Sequence, residues 1–331
     1  MLDGSSILIT GGTGSFGREF VARTLTQFNP RRLVVYSRDE IKQWDMAAGY
    51  RNDSRIRFFI GDVRDRARLA RALDGIDYVV HAAALKIVPS AEYNPFEHIK
   101  TNIDGAMNVI DAAIDKRVKR VVALSTDKAC SPINLYGATK LVSDKLFVAG
   151  NAYSGGHETR FSVVRYGNVM GSRGSVIPYF LSLPPNAPIP ITHPDMTRFM
   201  VTLDDGVALV WSALADMEGG EIYVKKIPSV KVLDIARAVN PYAEHAIVGV
   251  RPGEKLHEQM IGAEDAAHTY EYDNYFKILP AINAHDNSAR VKGGTRVADG
   301  FSYASNTNVD WMSVLNLRAW IEKNAHTFRN I

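Results

Sequence analysis

The first half of the chain alternates short apolar runs with helix-like stretches, and this rhythm limits the possible folds more than any other feature of its 331 residues. The runs fall at 7–9, 33–35, 56–60, 78–80, 121–124 and 161–164. Buried parallel strands read as short continuous apolar segments, and the spacing between these runs suits crossover helices. The predicted fold class is therefore α/β, a doubly wound parallel sheet of the Rossmann kind. From about Gly171 the rhythm breaks, with prolines at 178, 184, 185, 188, 190 and 194 crowding one stretch before a helix-like segment near Leu203. Residues 1–170 thus read as a nucleotide-binding Rossmann domain and 171–331 as a smaller substrate-binding α/β domain. Residues 200–226 are expected to return to the first domain, because 221–224 reads as a late strand of its sheet. The two domains are then interleaved.

Composition narrows the partners. The formal charge is only +3, with both signs mixed along the chain, so nothing marks a surface for nucleic acid or an anionic membrane. No apolar run reaches the roughly 18 residues a membrane helix needs, and the first four residues lack the basic and apolar regions of a secretory signal. The reading is a cytoplasmic protein with no membrane partner. Its single cysteine, Cys130, cannot form an intramolecular disulfide, which agrees with a reducing compartment. The nine histidines show no metal-ligand spacing, and no metal is expected.

Directly after the first apolar run comes Gly11-Gly12-Thr13-Gly14-Ser15-Phe16-Gly17, followed by a helical pattern. Glycines at 11, 14 and 17 permit a tight turn, close approach of the backbone to a pyrophosphate, and close packing of helix on strand. With a strand before it and a helix after it, this turn predicts a dinucleotide site that includes Thr13, Ser15 and Phe16. The second strand ends in Tyr36-Ser37-Arg38-Asp39, where an acidic residue would hold a free ribose 2′-hydroxyl. Arg38 instead offers a fork for a 2′-phosphate, and Ser37 stands beside it, so NADP is preferred; Asp39 is the argument for NAD. Asp62 and Val63 stand where such folds contact the adenine, although Asp62 is equally suited to cap a helix. Ala82 and Ala83, after the fourth strand, are small enough to let a cofactor lie against the backbone.

Tyr136 and Lys140 are four apart at the start of a long helical stretch, which puts both on one face. An ammonium near a phenol lowers the phenol's pKa, so the tyrosine can take a hydroxyl proton while hydride leaves for nicotinamide. Thr126, at the end of the fifth strand, can hydrogen-bond the hydroxyl being oxidised. Asp127 and Lys128 follow it and supply a second acid/base pair, which a simple dehydrogenase does not need. Cys130 beside them reads as a small packing residue, since the chemistry requires no thiolate.

These motifs resemble the inverting UDP-N-acetylglucosamine 4,6-dehydratases, extended short-chain dehydrogenase/reductases that open the pseudaminic acid pathway. The likeness rests on the glycine turn, Tyr36 to Glu40, Gly61 to Asp65, His81 to Lys86, Ser125 to Ala129 and Tyr136 to Lys140. It extends through Val164 to Val169, Gly171 to Val176, Met196 to Phe199 and Arg251 to Glu258, and so covers nearly the whole chain. It implies that Tyr136 deprotonates the sugar O4 as hydride passes to a tightly bound NADP that is regenerated each cycle. It further implies that Lys128 removes the C5 proton, that protonated Asp127 releases the C6 hydroxyl as water, and that hydride returns to C6 with C5 inverted. Lys86, Asn168, Arg173, Ser175, Val176, Arg251 and Glu254 match positions that hold the UDP-sugar. The assembly it implies is a homo-oligomer, up to a hexamer. Two departures stand out: Ile87 replaces a histidine frequent in close relatives, and Ser131 an asparagine.

Overall fold

The computed structural model describes residues 1–172, 174–281 and 288–325. The Rossmann half runs β1 (Ser6–Thr10), α1 (Ser15–Gln27), β2 (Arg32–Ser37), α2 (Glu40–Ala48), β3 (Ile56–Ile60), α3 (Arg66–Ala72) and β4 (Tyr78–His81). It continues through α4 (Val88–Tyr93), α5 (Pro95–Ile99), a π-helical turn at Lys100–Asp104, α6 (Gly105–Asp115), β5 (Arg120–Thr126), α7 (Leu135–Tyr153) and β6 (Arg160–Tyr166). Every residue of β1 is buried, as a central parallel strand covered on both faces must be. The parallel strands lie in the order β3-β2-β1-β4-β5-β6. The order reverses between β1 and β4, and the crevice beyond the carboxyl ends of those two strands is where doubly wound sheets bind ligands.

The remainder moves between two lobes. β7 (Asn168–Val169), α8 (Val176–Leu181), β8 (Ile189–Ile191) and β9 (Thr197–Val201) begin the second lobe. Then α9 (Leu203–Asp216) packs against α1, and β10 (Ile222–Lys225) pairs parallel with β6 in the main sheet, Ile222 opposite Val163. The chain returns to the second lobe for β11 (Ser229–Lys231), α10 (Val232–Val239) and β12 (His245–Ile247), and then β13 (Gln259–Ile261) puts Met260 and Ile261 into the main core. A separate core there gathers Ile177, Phe180, Met196, Ile235 and Leu317.

One excursion is absent from the sequence reading. β14 (Thr269–Glu271), β15 (Tyr275–Ile278) and, after the short α11 (Ser288–Val291), β16 (Thr295–Arg296) extend the main sheet antiparallel beyond β10. Residues assigned to the substrate-binding domain therefore form one edge of the Rossmann sheet, which reaches ten strands among the described residues. The apolar signal of β15 is broken by Lys277, which is fully buried because its ammonium donates to Asp216 Oδ2 at 2.6 Å. β17 (Tyr303–Ala304) pairs with β13, and α12 (Val314–Lys323) packs on α10. No helix among the described residues is long and apolar enough to cross a membrane.

Candidate active site

The turn after β1 is shaped by close backbone approach. Gly11 has φ +65°, and a Cβ there would stand 2.8 Å from the Ala83 nitrogen. Only glycine meets both demands without strain. A Cβ on Gly17 would lie 2.5 Å from Gly12, so glycine is what seats α1 on the turn. Gly14 stands at the N-cap position of α1 and has no side chain to fill it. The positive end of the helix dipole and its first-turn amides face the crevice, an anion site by construction. Phe16 stacks on Phe20 and Tyr166.

The Ala82–Ala83 floor of the crevice is fixed from beneath. The Thr10 hydroxyl accepts from the Ala82 and Ala83 N–H groups at 3.1 and 3.2 Å and lies 2.9 Å from His81 Nδ1. With its lone pairs engaged, its proton goes to the ring. Burial, helped by the Lys140 charge, pushes the His81 pKa down to about 3 and keeps that ring neutral.

At the end of β2, Thr13 Oγ1 and Ser37 Oγ lie 2.8 Å apart, both buried. Asp39 is engaged by the start of α2. Its carboxylate caps α2, accepting from the Lys42 N–H at 2.9 Å and pairing with Lys42 Nζ at 2.6 Å. Arg38 is 54% exposed, with its nearest carboxylate, Asp62, 3.8 Å away. Asp62 is itself occupied by Arg64, accepting from its backbone N–H and its Nε, both at 3.0 Å, and from Nη2 at 2.8 Å. Val63 is buried against Gly105.

The catalytic turn follows β5. Thr126 closes the strand, and Asp127–Ala129 form one 3-10 turn. Asn134 caps α7 by accepting from the Gly137 N–H at 2.7 Å. A Cβ at Gly137 would collide with the Lys128 carbonyl, so glycine allows the first turn of α7, which carries Tyr136, to press on the catalytic turn. Lys128 Nζ lies 3.1 Å from Asp127 Oδ1 and 3.1 Å from Glu258 Oε1. Burial alone would favour loss of its proton, but the two carboxylates outweigh it and raise the Lys128 pKa. Lys128 is therefore an ammonium at rest. Asp127 Oδ1 also accepts from the Thr126 hydroxyl at 2.9 Å, whereas its Oδ2 is buried with no hydrogen-bond partner.

Burial pushes the Tyr136 pKa up to about 12, opposed by the Lys128 charge and a hydrogen bond with Thr126. The cation acting on the phenol is thus Lys128, whereas the helical spacing pointed to Lys140. Lys140 is drawn inward to the strand end, donating from Nζ to the Leu124 carbonyl at 2.7 Å, and burial lowers its pKa.

Two residues that the sequence reading did not single out complete the site. Asn102, in the π-helical turn, accepts from the Leu85 N–H and donates to the Leu85 carbonyl, both at 2.9 Å, and also donates to Thr139 Oγ1 at 3.0 Å. It ties the loop after β4 to the catalytic helix. The other is Glu258, 2% exposed and immediately before β13. Its signal was an acidic residue abutting an apolar strand, but its partner lies 130 residues earlier.

The expected substrate residues come from several elements. Lys86 shares the catalytic electrostatics: burial first and the Lys128 charge second lower its pKa. Asn168 opens β7 and Ser175 stands at the N-cap position of α8 beside Val176; Asn168 Oδ1 and Ser175 Oγ are buried without partners. Such orphaned atoms are costly unless a ligand satisfies them. Arg251 and Glu254 close a turn, the Glu254 N–H donating to the Arg251 carbonyl at 3.1 Å. Arg173 lies outside the described residues. Burial raises the Cys130 thiol pKa, which suits a packing group.

Residues 7–280 match the family described as polysaccharide biosynthesis protein. A UDP-N-acetylglucosamine 4,6-dehydratase (inverting) of Campylobacter jejuni is 53% identical over 95% of this chain and 96% of its own. A UDP-glucose 4-epimerase of Rickettsia typhi is 42% identical over 88% of both chains. Among solved structures, DesIV, a dTDP-glucose 4,6-dehydratase from Streptomyces venezuelae with NAD bound, is 25% identical. It superposes with a TM-score of 0.67 over 76% of this chain and 86% of its own.

Proposed function

The chain belongs to the polysaccharide biosynthesis protein family, and from that membership we propose that it is a C5-inverting UDP-N-acetylglucosamine 4,6-dehydratase that works with NADP. The observation carrying this reading is the Asp127–Lys128 pair beside Tyr136, with Asp127 buried and Lys128 partly exposed. Oxidation and reduction at C4 need a tyrosine and a lysine; elimination across C5 and C6 needs a further acid and base.

A nicotinamide dinucleotide fits the Gly11 to Gly17 turn, the Ala82–Ala83 floor and the anion-binding end of α1. NADP is favoured because Arg38 offers a guanidinium for a 2′-phosphate and the Asp39 carboxylate already accepts from the Lys42 N–H. A dinucleotide bound there would supply the reversible hydride acceptor needed between the sugar C4 and C6. Tyr136 takes the O4 proton, and Thr126 orients the hydroxyl. The C4 ketone then acidifies the C5 proton.

At rest Lys128 holds its proton and is not yet the base assigned from the resemblance. One transfer across its 3.1 Å contact with Asp127 would make Lys128 the amine that removes the C5 proton and Asp127 the acid that releases the C6 hydroxyl as water. Reprotonation at C5 from the opposite face inverts that centre. The net reaction is loss of water, giving UDP-2-acetamido-2,6-dideoxy-L-arabino-4-hexulose. Lys86, Asn168, Ser175, Val176, Arg251 and Glu254, with Arg173, supply the grip on the UDP-sugar.

The Rickettsia relative favours a second reading, a UDP-sugar 4-epimerase. Incubation with UDP-N-acetylglucosamine in deuterated water, followed by NMR, separates the two. Dehydration predicts a 4-keto-6-deoxy product with deuterium at C5; recovery of only the C4 epimer would refute it.

A further inference from the structure

We propose that Glu258 is a positioning residue for this dehydration: reaching in from the segment just before β13, it holds the Lys128 ammonium against Asp127, so that the pair carries its one shared proton when substrate arrives. The inference rests on the role given above to Asp127 and Lys128.

Glu258 ends a segment strapped to the catalytic turn at several points. The Asn134 side-chain amide donates to the Gly253 carbonyl at 2.7 Å, and Lys255 Nζ donates to the Cys130 carbonyl at 2.6 Å. Ser131 Oγ donates to Gln259 Oε1 at 3.3 Å, one residue beyond Glu258. Between these straps Glu258 Oε1 meets Lys128 at 3.1 Å, and the Glu258 N–H donates to Ser305 Oγ at 2.9 Å, which fixes the backbone behind it. The charged groups facing Glu258 are Lys128, Lys255 at 3.9 Å and Arg198 at 4.0 Å. Those acting on Lys128 are Asp127, Glu258 and Arg198, and Lys128 in turn acts on Tyr136 and Lys86. Among the described residues, Glu258 is thus the carboxylate on Lys128 that comes from far along the chain. It couples the ordering of the 253–259 segment to the charge of the Asp127–Lys128 pair. A buried cation facing Asp127 alone would hold its proton less firmly, and the proton would escape at lower pH.

The test is lysine acetylation of the NADP-loaded enzyme across a pH series, read at Lys128 by peptide mass spectrometry, alongside the pH profile of dehydration. Glu258→Gln is expected to lower the Lys128 pKa by about one unit, hence about tenfold faster labelling below that pKa. The alkaline limb of the dehydration profile moves to lower pH by the same amount, with NADP affinity unchanged. Glu258→Asp keeps the charge one methylene further back, and about a threefold rise in labelling is expected. Parental labelling and an unmoved alkaline limb in Glu258→Gln would overturn the assignment. If that variant fails to fold, Glu258→Asp decides alone, and labelling identical to the parent's overturns it. Because labelling needs no sugar, an enzyme inactive on UDP-N-acetylglucosamine would sink the proposed reaction and leave this assignment to be judged separately.

Discussion

The glycine turn after β1 and the Asp127–Lys128 turn after β5 lie at the same edge of one sheet, yet they are held by different means. The first is set by backbone: Gly11 against Ala83, Gly17 against Gly12, and Thr10 beneath both alanines. The second is set by charge brought from far along the chain, with Lys128 between Asp127 and Glu258. A backbone-defined site tolerates almost no added atom but is indifferent to the rest of the molecule. A charge-defined site exists only when the distant segment that carries Glu258 is in place.

Four substitutions sharpen or break this contrast. Lys128→Ala removes the proton carrier and should slow dehydration about a thousandfold while NADP still binds. Turnover and equilibrium dialysis check the two halves, and full activity would remove Lys128 from the mechanism. Gly11→Ala forces a Cβ against the Ala83 backbone at positive φ, and about 3 kcal/mol of stability should be lost. A variant with the parental thermal unfolding midpoint would show that the turn has slack. Arg38→Ala should weaken NADP about tenfold to a hundredfold by calorimetry and leave NAD nearly unaffected. Equal losses for both cofactors would mean that Arg38 does not read the 2′-phosphate. The smallest effect belongs to Cys130→Ala, with turnover retained and stability changed by about 1 kcal/mol; loss of activity there would mean that the thiol does more than pack.

The same contrast explains what could be read in advance. The glycine turn, the parallel strands and the place of Tyr136 and Lys140 are local patterns, because strand, turn and helix follow one another in sequence. β15 was hidden because Lys277, buried against Asp216, interrupts its apolar face. Glu258 could be seen only as one acidic residue within a motif, since nothing local says that its carboxylate meets Lys128. The helical spacing of Tyr136 and Lys140 was informative about which face they share but silent about the Leu124 carbonyl that draws Lys140 inward.

The central claim is that hydride borrowed at C4 returns to C6 of the same sugar. UDP-N-acetylglucosamine carrying deuterium at C4 tests it directly, with the product followed by NMR and mass spectrometry. The account predicts deuterium in the C6 methyl group, transferred within one molecule while water is lost. Deuterium remaining at C4, with or without inversion there, would contradict it.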